Sequence, residues 1–263
     1  MRNSVLSNLA LRALLILLAA ACLARAAEPL KIYYIRHGEG GHNVVGEWKD
    51  NPKSEWPPYV GNENAFTPKG EQQVAELTQN LGGMKFDLIA VSPKWRARNT
   101  ILPFLRRHAL RAEIWPELTE TKSTTAFAGQ SLPPARPEVF RAGKPLNVDA
   151  GEADVFVLRE DGGAEADLSA KDERQAAADA AALAERVAEM IRARFAGSGK
   201  TILLVGHGNS GVTLARVLAG AAIRHPENTG FWAAEEQPDG SFKLTSGDET
   251  SKKWRAQPAT QKR

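Results

Sequence analysis

The sequence has almost no cysteine: its single one, Cys22, lies in the N-terminal segment of residues 1–26. We expect this segment to be removed from the mature protein, for the reasons given below. The remaining chain would then carry no thiol. This excludes disulfide bonds and a cysteine nucleophile from the mature domain.

The sequence also lacks an excess of charge once the same segment is set aside. The formal net charge of +3 comes from the three arginines of residues 1–26, where there is no acidic residue, and 31 basic residues face 31 acidic ones in the rest. A nucleic-acid partner requires a basic surface. We therefore expect no nucleic-acid partner.

No apolar run is long enough to span a bilayer comfortably. The best candidate, residues 13–23, follows Arg2 and Arg12 and precedes the small residues around Ala26. This is the arrangement of a secretory signal peptide with cleavage after Ala26. It predicts export to the periplasm or the medium, without stable membrane insertion of the mature domain.

Two alternatives to simple cleavage stay open. One is a short uncleaved anchor, and the other is a lipoprotein signal, the run "LLAAAC", in which Cys22 is acylated. The rest of the chain divides into a domain over residues 27–250 and a basic tail, residues 251–263, that we expect to be flexible.

Strand-like and helix-like segments alternate along the domain. Buried strands are predicted at 32–35, 86–93, 111–118 and 200–206, and helices at 67–83, at 94–109 with a bend or an end near Pro103, at 171–195 and at 209–220. Such alternation predicts an α/β fold whose central sheet is mostly parallel, with helices on both faces.

Three further segments complete the predicted organisation. Residues 38–66 form a long polar connection, which suggests a functional loop. Residues 121–170 are irregular apart from the short strand-like "DVFVL", and we expect a small insertion over one end of the sheet. The run 230–244 is typical of a hairpin that turns at Asp239-Gly240.

Histidines follow two of the buried strands directly. Arg36 and His37 end the first strand, and His207 ends the apolar run "TILLVG". A lone histidine is usually structural, but the carboxyl ends of parallel strands meet at one edge of a sheet, where ligands bind. We therefore expect His37 and His207 to lie together.

Two other strand ends supply charged residues to the same edge. Arg96 follows the Ser92-Pro93 turn and can point back over the strand end, and Glu120 follows "EL" at the end of the third strand. Arginines and histidines with an acid suit a phosphoryl group, because guanidinium forks match its oxygens. The neighbouring arginines are expected to form a solvated basic face: Arg98, Arg106 and Arg107.

Four motifs together resemble a known family. "IRHGEGGHN", "SPKWRARNT", "LTE" and "GHGNS" are similar to the signatures of the histidine phosphatase superfamily, in the branch that contains the cofactor-dependent phosphoglycerate mutases. The resemblance runs in order from about residue 31 to 231. Gly208 stands where the phytase and acid-phosphatase branch has aspartate, which disfavours that branch.

The resemblance implies a role for each matching residue. His37 would be the nucleophile that forms a phosphohistidine, and Glu120 would protonate the leaving oxygen and then activate water. His207 would also belong to the catalytic set. The residues that would hold the phosphoryl oxygens are Arg36, Arg96 and His207, with Asn43 at the edge of the site.

The function expected on these grounds is that of an exported, metal-independent phosphomonoesterase that acts on a small-molecule phosphate ester and needs no cofactor. Two alternatives remain, a phosphoglycerate-mutase-type phosphotransferase and a non-catalytic phosphate- or sugar-binding domain. A mutase acts on a cytoplasmic substrate, which disagrees with a signal peptide. The histidines left over are His42, which would contact substrate or pack a loop, and His108 and His225, expected to be solvated or loop residues.

Overall fold

The structure, a computed structural model, describes residues 28–121, 147–159 and 172–249. The predictions for the N-terminal segment 1–26, for most of the insertion and for the tail 251–263 lie outside these residues. Within the described ranges, no helix combines the length and the apolar character that crossing a membrane requires.

The described strands form one sheet of seven, in the order β4-β3-β2-β5-β1-β6-β7. Pairing is parallel from β4 to β1 and antiparallel from β1 through β6 to β7, so the predicted mostly parallel sheet and the C-terminal hairpin are confirmed. The strands are β1 Lys31–Arg36, β2 Leu88–Val91, β3 Ala112–Ile114, β4 Phe156–Leu158, β5 Thr201–Gly206, β6 Phe231–Glu236 and β7 Phe242–Glu249.

Helices cover both faces of the sheet, as predicted. The helices are α1 Val45–Trp48, α2 Pro68–Leu81, α3 Trp95–Arg107, α4 Glu173–Phe195 and α5 Gly208–Ala219, and short 3-10 turns occur at Gly41–Asn43, Lys53–Glu55 and Pro116–Leu118. One core cluster packs α4 and α5 on the sheet, and a second packs α2 and α3 on its other face.

The central strand β5 shows why the sequence folds in this way. Ile202 and Leu204 face the α4 and α5 side, whereas Leu203 and Val205 face the α2 and α3 side. A parallel strand that is buried on both faces needs apolar residues at consecutive positions. The uninterrupted apolar run therefore places β5 in the middle of the sheet.

Helix α2 begins where the sequence predicts. Thr67 is its N-cap and accepts a hydrogen bond from Gly70 N at 3.0 Å, with Pro68 in the first turn. The helix predicted over 94–109, with a bend or an end near Pro103, does not end there, because α3 continues to Arg107. Pro103 lies on the exposed face of α3, where water can hydrate the carbonyl group of Asn99 that proline leaves without an N–H partner.

The third predicted strand is shorter than expected. It ends at Ile114, and Pro116 begins a 3-10 turn because proline has no N–H to donate to a neighbouring strand. The turn ends at Leu118 and so delivers Glu120 to the carboxyl edge of the sheet. The strand-like "DVFVL" is confirmed as β4, which pairs with β3 at the edge of the sheet.

The prediction that Arg98 is solvated is wrong. Its side chain is buried, and its Nε donates to Glu152 Oε2 at 2.8 Å while Nη1 donates to the Pro93 carbonyl. Asn99 Nδ2 binds the other carboxylate oxygen of Glu152 at 3.0 Å. Glu152 is distant in sequence, so no local pattern indicated that it would cover Arg98. Arg106 and Arg107 are exposed, as expected.

A second buried ion pair holds the other end of segment 147–159. Arg159 donates from Nη1 and Nη2 to the two oxygens of Glu117, each at 3.0 Å. The Arg159 guanidinium also lies 5.5 Å from the ring centre of Trp115. Bidentate pairs of this kind fix geometry. The Arg159–Glu117 pair fastens segment 147–159 to the turn that precedes Glu120, and the Arg98–Glu152 pair fastens it to α3.

Replacing Glu152 with alanine should destabilise the protein, because it leaves the Arg98 guanidinium buried without its carboxylate. The expected loss is about 3–5 kcal/mol of unfolding free energy, measured by urea denaturation. Glu185→Ala, at an exposed position of α4, should change stability by less than about 0.5 kcal/mol. Equal losses in the two variants would contradict the importance of the buried pair.

Candidate active site

Two neighbouring strands bring the predicted histidines together. β1 and β5 are parallel partners whose last paired residues are Arg36 and Gly206, so the next residue of each strand is a histidine. The ring centres of His37 and His207 lie 5.1 Å apart, at an interplanar angle of 65°. His37 N also donates to Gly206 O at 2.9 Å. Both imidazoles are buried.

The hydrogen bonds of His37 determine which ring nitrogen carries its proton. His37 Nδ1 lies 2.7 Å from the carbonyl oxygen of Gly38, which can only accept, so Nδ1 is the protonated nitrogen. Arg96 Nε, which can only donate, lies 3.2 Å from His37 Nε2. Nε2 therefore has a lone pair and faces the Arg96 guanidinium.

Burial and neighbouring cations keep His37 neutral. Removal of the ring from water lowers the pKa of His37 well below its usual value, and Arg96, His42 and Arg36 lower it further. The hydrogen bond to Gly38 O acts in the opposite direction and is the weaker influence. A neutral imidazole with an unprotonated Nε2 is the form that can attack an electrophile.

Arg96 is the centre of the site. Its buried guanidinium donates from Nε to His37, from Nη1 to Glu63 Oε2 at 3.2 Å and from Nη2 to Glu120 Oε2 at 3.1 Å. Thr100 Oγ1 donates to Arg96 O at 2.6 Å and accepts from Gly38 N at 2.9 Å. This hydroxyl ties the first turn of α3 to the loop after β1.

His207 is held from behind by side chains of the sheet. Its Nε2 lies 2.8 Å from Ser92 Oγ, and its backbone N donates to Tyr34 OH at 2.8 Å. Its Nδ1 lies 3.9 Å from Glu120 Oε2. Burial raises the pKa of Tyr34, which keeps the phenol neutral. The ring of Tyr34 stacks on Trp232 with 5.2 Å between centres.

Arg36 reaches the same edge with part of its guanidinium uncommitted. Nη1 donates to Pro226 O at 2.9 Å and lies 3.4 Å from His225 Nδ1. Nε is buried, and no described residue accepts a hydrogen bond from it. Burial lowers the pKa of Arg36, an effect that nearby Glu120 partly opposes. A buried donor of this kind is suited to an anionic ligand.

Asn43 lies beside the His37 loop, at the edge of the site that the family resemblance implies. Its Oδ1 accepts from Gly40 N at 3.0 Å and from Asn228 Nδ2 at 3.4 Å, and Asn228 Nδ2 also donates to His37 O at 3.0 Å. The amide oxygen of Asn43 thus shapes the loop. Its Nδ2 is the group it can offer to a ligand.

The structure brings together all six side chains selected from the sequence, and it adds five that sequence reasoning missed: Tyr34, Glu63, Ser92, Thr100 and Asn228. Ser92 and Thr100 lie inside the quoted motif "SPKWRARNT", so their position beside Arg96 was an available signal. Glu63 and Asn228 lie in irregular segments, where no periodicity indicates which residue turns inward.

The remaining histidines differ in their distance from the site. The His42 ring centre is 5.5 Å from that of His37, so His42 lines the approach to the site. His225 contacts Arg36 and packs over Gly208, which has no side chain to obstruct the ring. His108 is exposed and packs on Phe104, as the solvated role predicts.

A metal ion in the site would need a suitable arrangement of binding side chains. Among residues 28–121, 147–159 and 172–249, no group of three or more His, Cys, Asp or Glu side chains is placed to hold a metal ion. The positive charge found in the described part of the site is that of Arg36 and Arg96.

Comparison with known protein families gives a match to part of the chain. The family model of the histidine phosphatase superfamily, branch 1, matches residues 32–138. This range contains the first three of the four motifs and every described residue of the site from Tyr34 to Glu120. The resemblance to the histidine phosphatase superfamily that the sequence motifs indicate is confirmed over residues 32–138. This resemblance supports a phosphatase-type function. A search of curated proteins gave no match.

Solved structures share the fold at low sequence identity. A phosphoserine phosphatase from Entamoeba histolytica in complex with 3-phosphoglyceric acid is 21% identical, with a TM-score of 0.53 over 84% of this chain and 98% of that chain. A mycobacterial glucosyl-3-phosphoglycerate phosphatase in complex with VO3 is 17% identical, with a TM-score of 0.51 over 84% and 99%. These likenesses establish the common fold.

The low pKa of His37 should make stability depend on pH. Below about pH 6.5 the unfolded chain takes up a proton at His37 and the folded chain does not, so stability falls with a slope that approaches about 1.4 kcal/mol per pH unit from this group. This loss of stability stops only when the pH reaches the pKa of His37 in the folded protein, where both states bind the proton. Urea denaturation of wild type and His37→Gln from pH 8 to pH 5.5 should show that the unfolding free energy of wild type falls more steeply below pH 6.5 than that of the variant.

The matched control is His108→Gln, at an exposed position. Its stability should follow the wild-type pH dependence. If the His37→Gln curve instead ran parallel to wild type throughout this range, the neutral buried state of His37 would be wrong.

Proposed function

We propose that the protein is an exported phosphomonoesterase that hydrolyses a small-molecule phosphate ester through a phosphohistidine on His37. The observation that carries the proposal is the Nε2 lone pair of His37, held beside the Arg96 guanidinium with Nδ1–H bound to Gly38 O. A nucleophile and a fixed cation side by side are what phosphoryl transfer needs.

In the first step His37 Nε2 attacks phosphorus, an N–P bond forms and the P–O bond to the alcohol breaks. Arg36, Arg96 and His207 hold the non-bridging oxygens. Glu120 gives its proton to the leaving oxygen, so the alcohol departs neutral. The Glu120 carboxyl lies between Arg96 Nη2 at 3.1 Å and His207 Nδ1 at 3.9 Å, which places it beside the reacting group.

In the second step water attacks the phosphohistidine. The Glu120 carboxylate removes a proton from this water, the N–P bond breaks and His37 returns to its neutral state. Inorganic phosphate leaves, and Glu120 is again protonated. The same carboxyl group thus serves as acid and then as base, which requires no further group.

We also propose that no metal takes part. The charge that develops on the phosphoryl oxygens would be neutralised by Arg36 and Arg96, which are already fixed in the folded protein. The buried Nε of Arg36 supports this role because a bound oxygen would supply the acceptor that no described residue provides.

Purified protein without residues 1–26 should hydrolyse an aryl phosphate in the presence of a chelator. His37→Ala should reduce kcat by at least about 1,000-fold, because it removes the group that forms the covalent intermediate. The measurement is release of the phenol, together with acid-labile, alkali-stable labelling of the protein by labelled substrate.

His108→Ala is the matched control, because it removes an imidazole from the surface and should leave turnover and labelling nearly unchanged. An absolute requirement for added metal would contradict the metal-free mechanism. If His37→Ala retained the activity and labelling of His108→Ala, the assignment of the nucleophile would be wrong.

Export is supported by the sequence of residues 1–26. Expressed as the full chain in a Gram-negative bacterium, the protein should appear in the periplasm with Ala27 as its first residue, as measured by intact-protein mass. Cys22→Ser should not alter this mass. A mass that retains Met1 or carries a lipid on Cys22 would contradict cleavage after Ala26 and favour an anchored form.

A further inference from the structure

We propose that Glu63 is an internal competitor of phosphate: its carboxylate pairs with Arg96 in the empty site, and phosphate that binds Arg96 must either displace this carboxylate or lie beside its charge. Glu63 would thereby set how weakly the enzyme holds its product, inorganic phosphate. The consequence for turnover rests on the proposed phosphatase function, whereas the competition for Arg96 is a binding property that is tested without turnover.

The contacts of Arg96 show why competition arises. Its Nε is engaged by His37, its Nη1 by Glu63 and its Nη2 by Glu120. The side chain is 2% exposed, so water has little access to it. The three hydrogen bonds use three of the five N–H groups of the guanidinium. A phosphoryl oxygen that binds it beside His37 Nε2 therefore either takes the place of one of these partners or lies close to the negative charge of a carboxylate partner.

Exposure distinguishes the two carboxylates. The side chain of Glu63 is 32% exposed, and that of Glu120 is 12% exposed and also faces His207. A partly exposed carboxylate recovers its hydration when it leaves an ion pair, whereas a more buried one does not. Glu63 is therefore the carboxylate that phosphate displaces, and Glu120 stays in place for proton transfer.

The backbone beneath Glu63 is fixed, so displacement needs only a side-chain rotation. Gly61 N donates to Gly41 O at 2.9 Å, and Gly41 N donates to Ala65 O at 3.0 Å. These bonds join both flanks of Glu63 to the 3-10 turn that follows the His37 loop. The carboxylate is thus returned to Arg96 whenever phosphate leaves.

Charge explains the expected effect on product release. Inorganic phosphate in a site with two arginines would bind tightly and inhibit the enzyme. With Glu63 present, phosphate either displaces an ion pair or lies beside a like charge, and both weaken binding. Removal of the Glu63 charge should therefore strengthen phosphate binding rather than weaken it, which is the opposite of the result for an ordinary binding residue.

The test is calorimetric titration of inorganic phosphate into the protein without residues 1–26, as wild type, Glu63→Gln and Glu55→Gln. Glutamine keeps the shape of the side chain and removes its charge. Glu55 is an exposed carboxylate of the same connection, so it serves as the matched control. We expect the Kd of Glu63→Gln to fall about tenfold, equivalent to about 1.4 kcal/mol, and that of Glu55→Gln to be unchanged.

A second titration at about 0.5 M salt separates direct contact from a long-range field. Screening removes interactions between exposed charges that are many ångströms apart, but it weakens a contact with a buried guanidinium much less. The tightening should persist. An unchanged or higher Kd for Glu63→Gln, or a tightening lost in salt, would overturn the proposal.

Kinetics with an aryl phosphate provide a distinct readout. Glu63→Gln should lower both KM and the inhibition constant of phosphate by similar factors, without raising kcat. A protein that binds phosphate as described but shows no turnover would contradict the phosphatase function and leave the role of Glu63 intact. Turnover combined with no effect of Glu63→Gln on phosphate binding would support the phosphatase function and overturn the role of Glu63.

Discussion

The hydrogen bond from Arg96 Nε to His37 Nε2 constrains the rest of the site. It requires that Nε2 carry a lone pair, and the bond from Nδ1 to Gly38 O requires that the proton reside on the other nitrogen. Burial and the nearby cations then favour the neutral ring. The same contact that disfavours a proton on Nε2 places a guanidinium where phosphoryl oxygens would lie, so activation of the nucleophile and stabilisation of charge share one structural origin.

The fold provides this contact by aligning strand ends. Because β1 and β5 are adjacent and parallel, their last residues pair and the following histidines meet without any long-range loop. Arg96 arrives from the first turn of α3, which Thr100 fastens to the loop after β1. Glu120 arrives after the 3-10 turn whose Glu117 is held by Arg159. Rigid elements therefore position every charged group of the site except Glu63, which is more exposed.

Sequence reasoning succeeded where local pattern and topology determine position. The apolar run of β5 and the cap at Thr67 are local signals, and the meeting of His37 with His207 follows from parallel pairing alone. It failed where a partner distant in sequence decides the outcome. Arg98 lies among other arginines, which is typical of a solvated face, and only the distant Glu152 makes it buried. Of the two outcomes predicted near Pro103, a helix end does not occur, because the missing hydrogen bond lies on a hydrated side of the helix. Glu63 could not be found because an irregular segment has no period.

The central claim is that His37 is neutral, with its proton on Nδ1 and its lone pair on Nε2. The most direct measurement is nitrogen-15 NMR of the imidazole, which reports the protonation of each ring nitrogen, with His37→Gln used to assign the signals. Between pH 6 and 8 the account predicts a protonated Nδ1 and an unprotonated Nε2 throughout. A ring protonated on both nitrogens near pH 6.5, or one whose proton resides on Nε2, would contradict it.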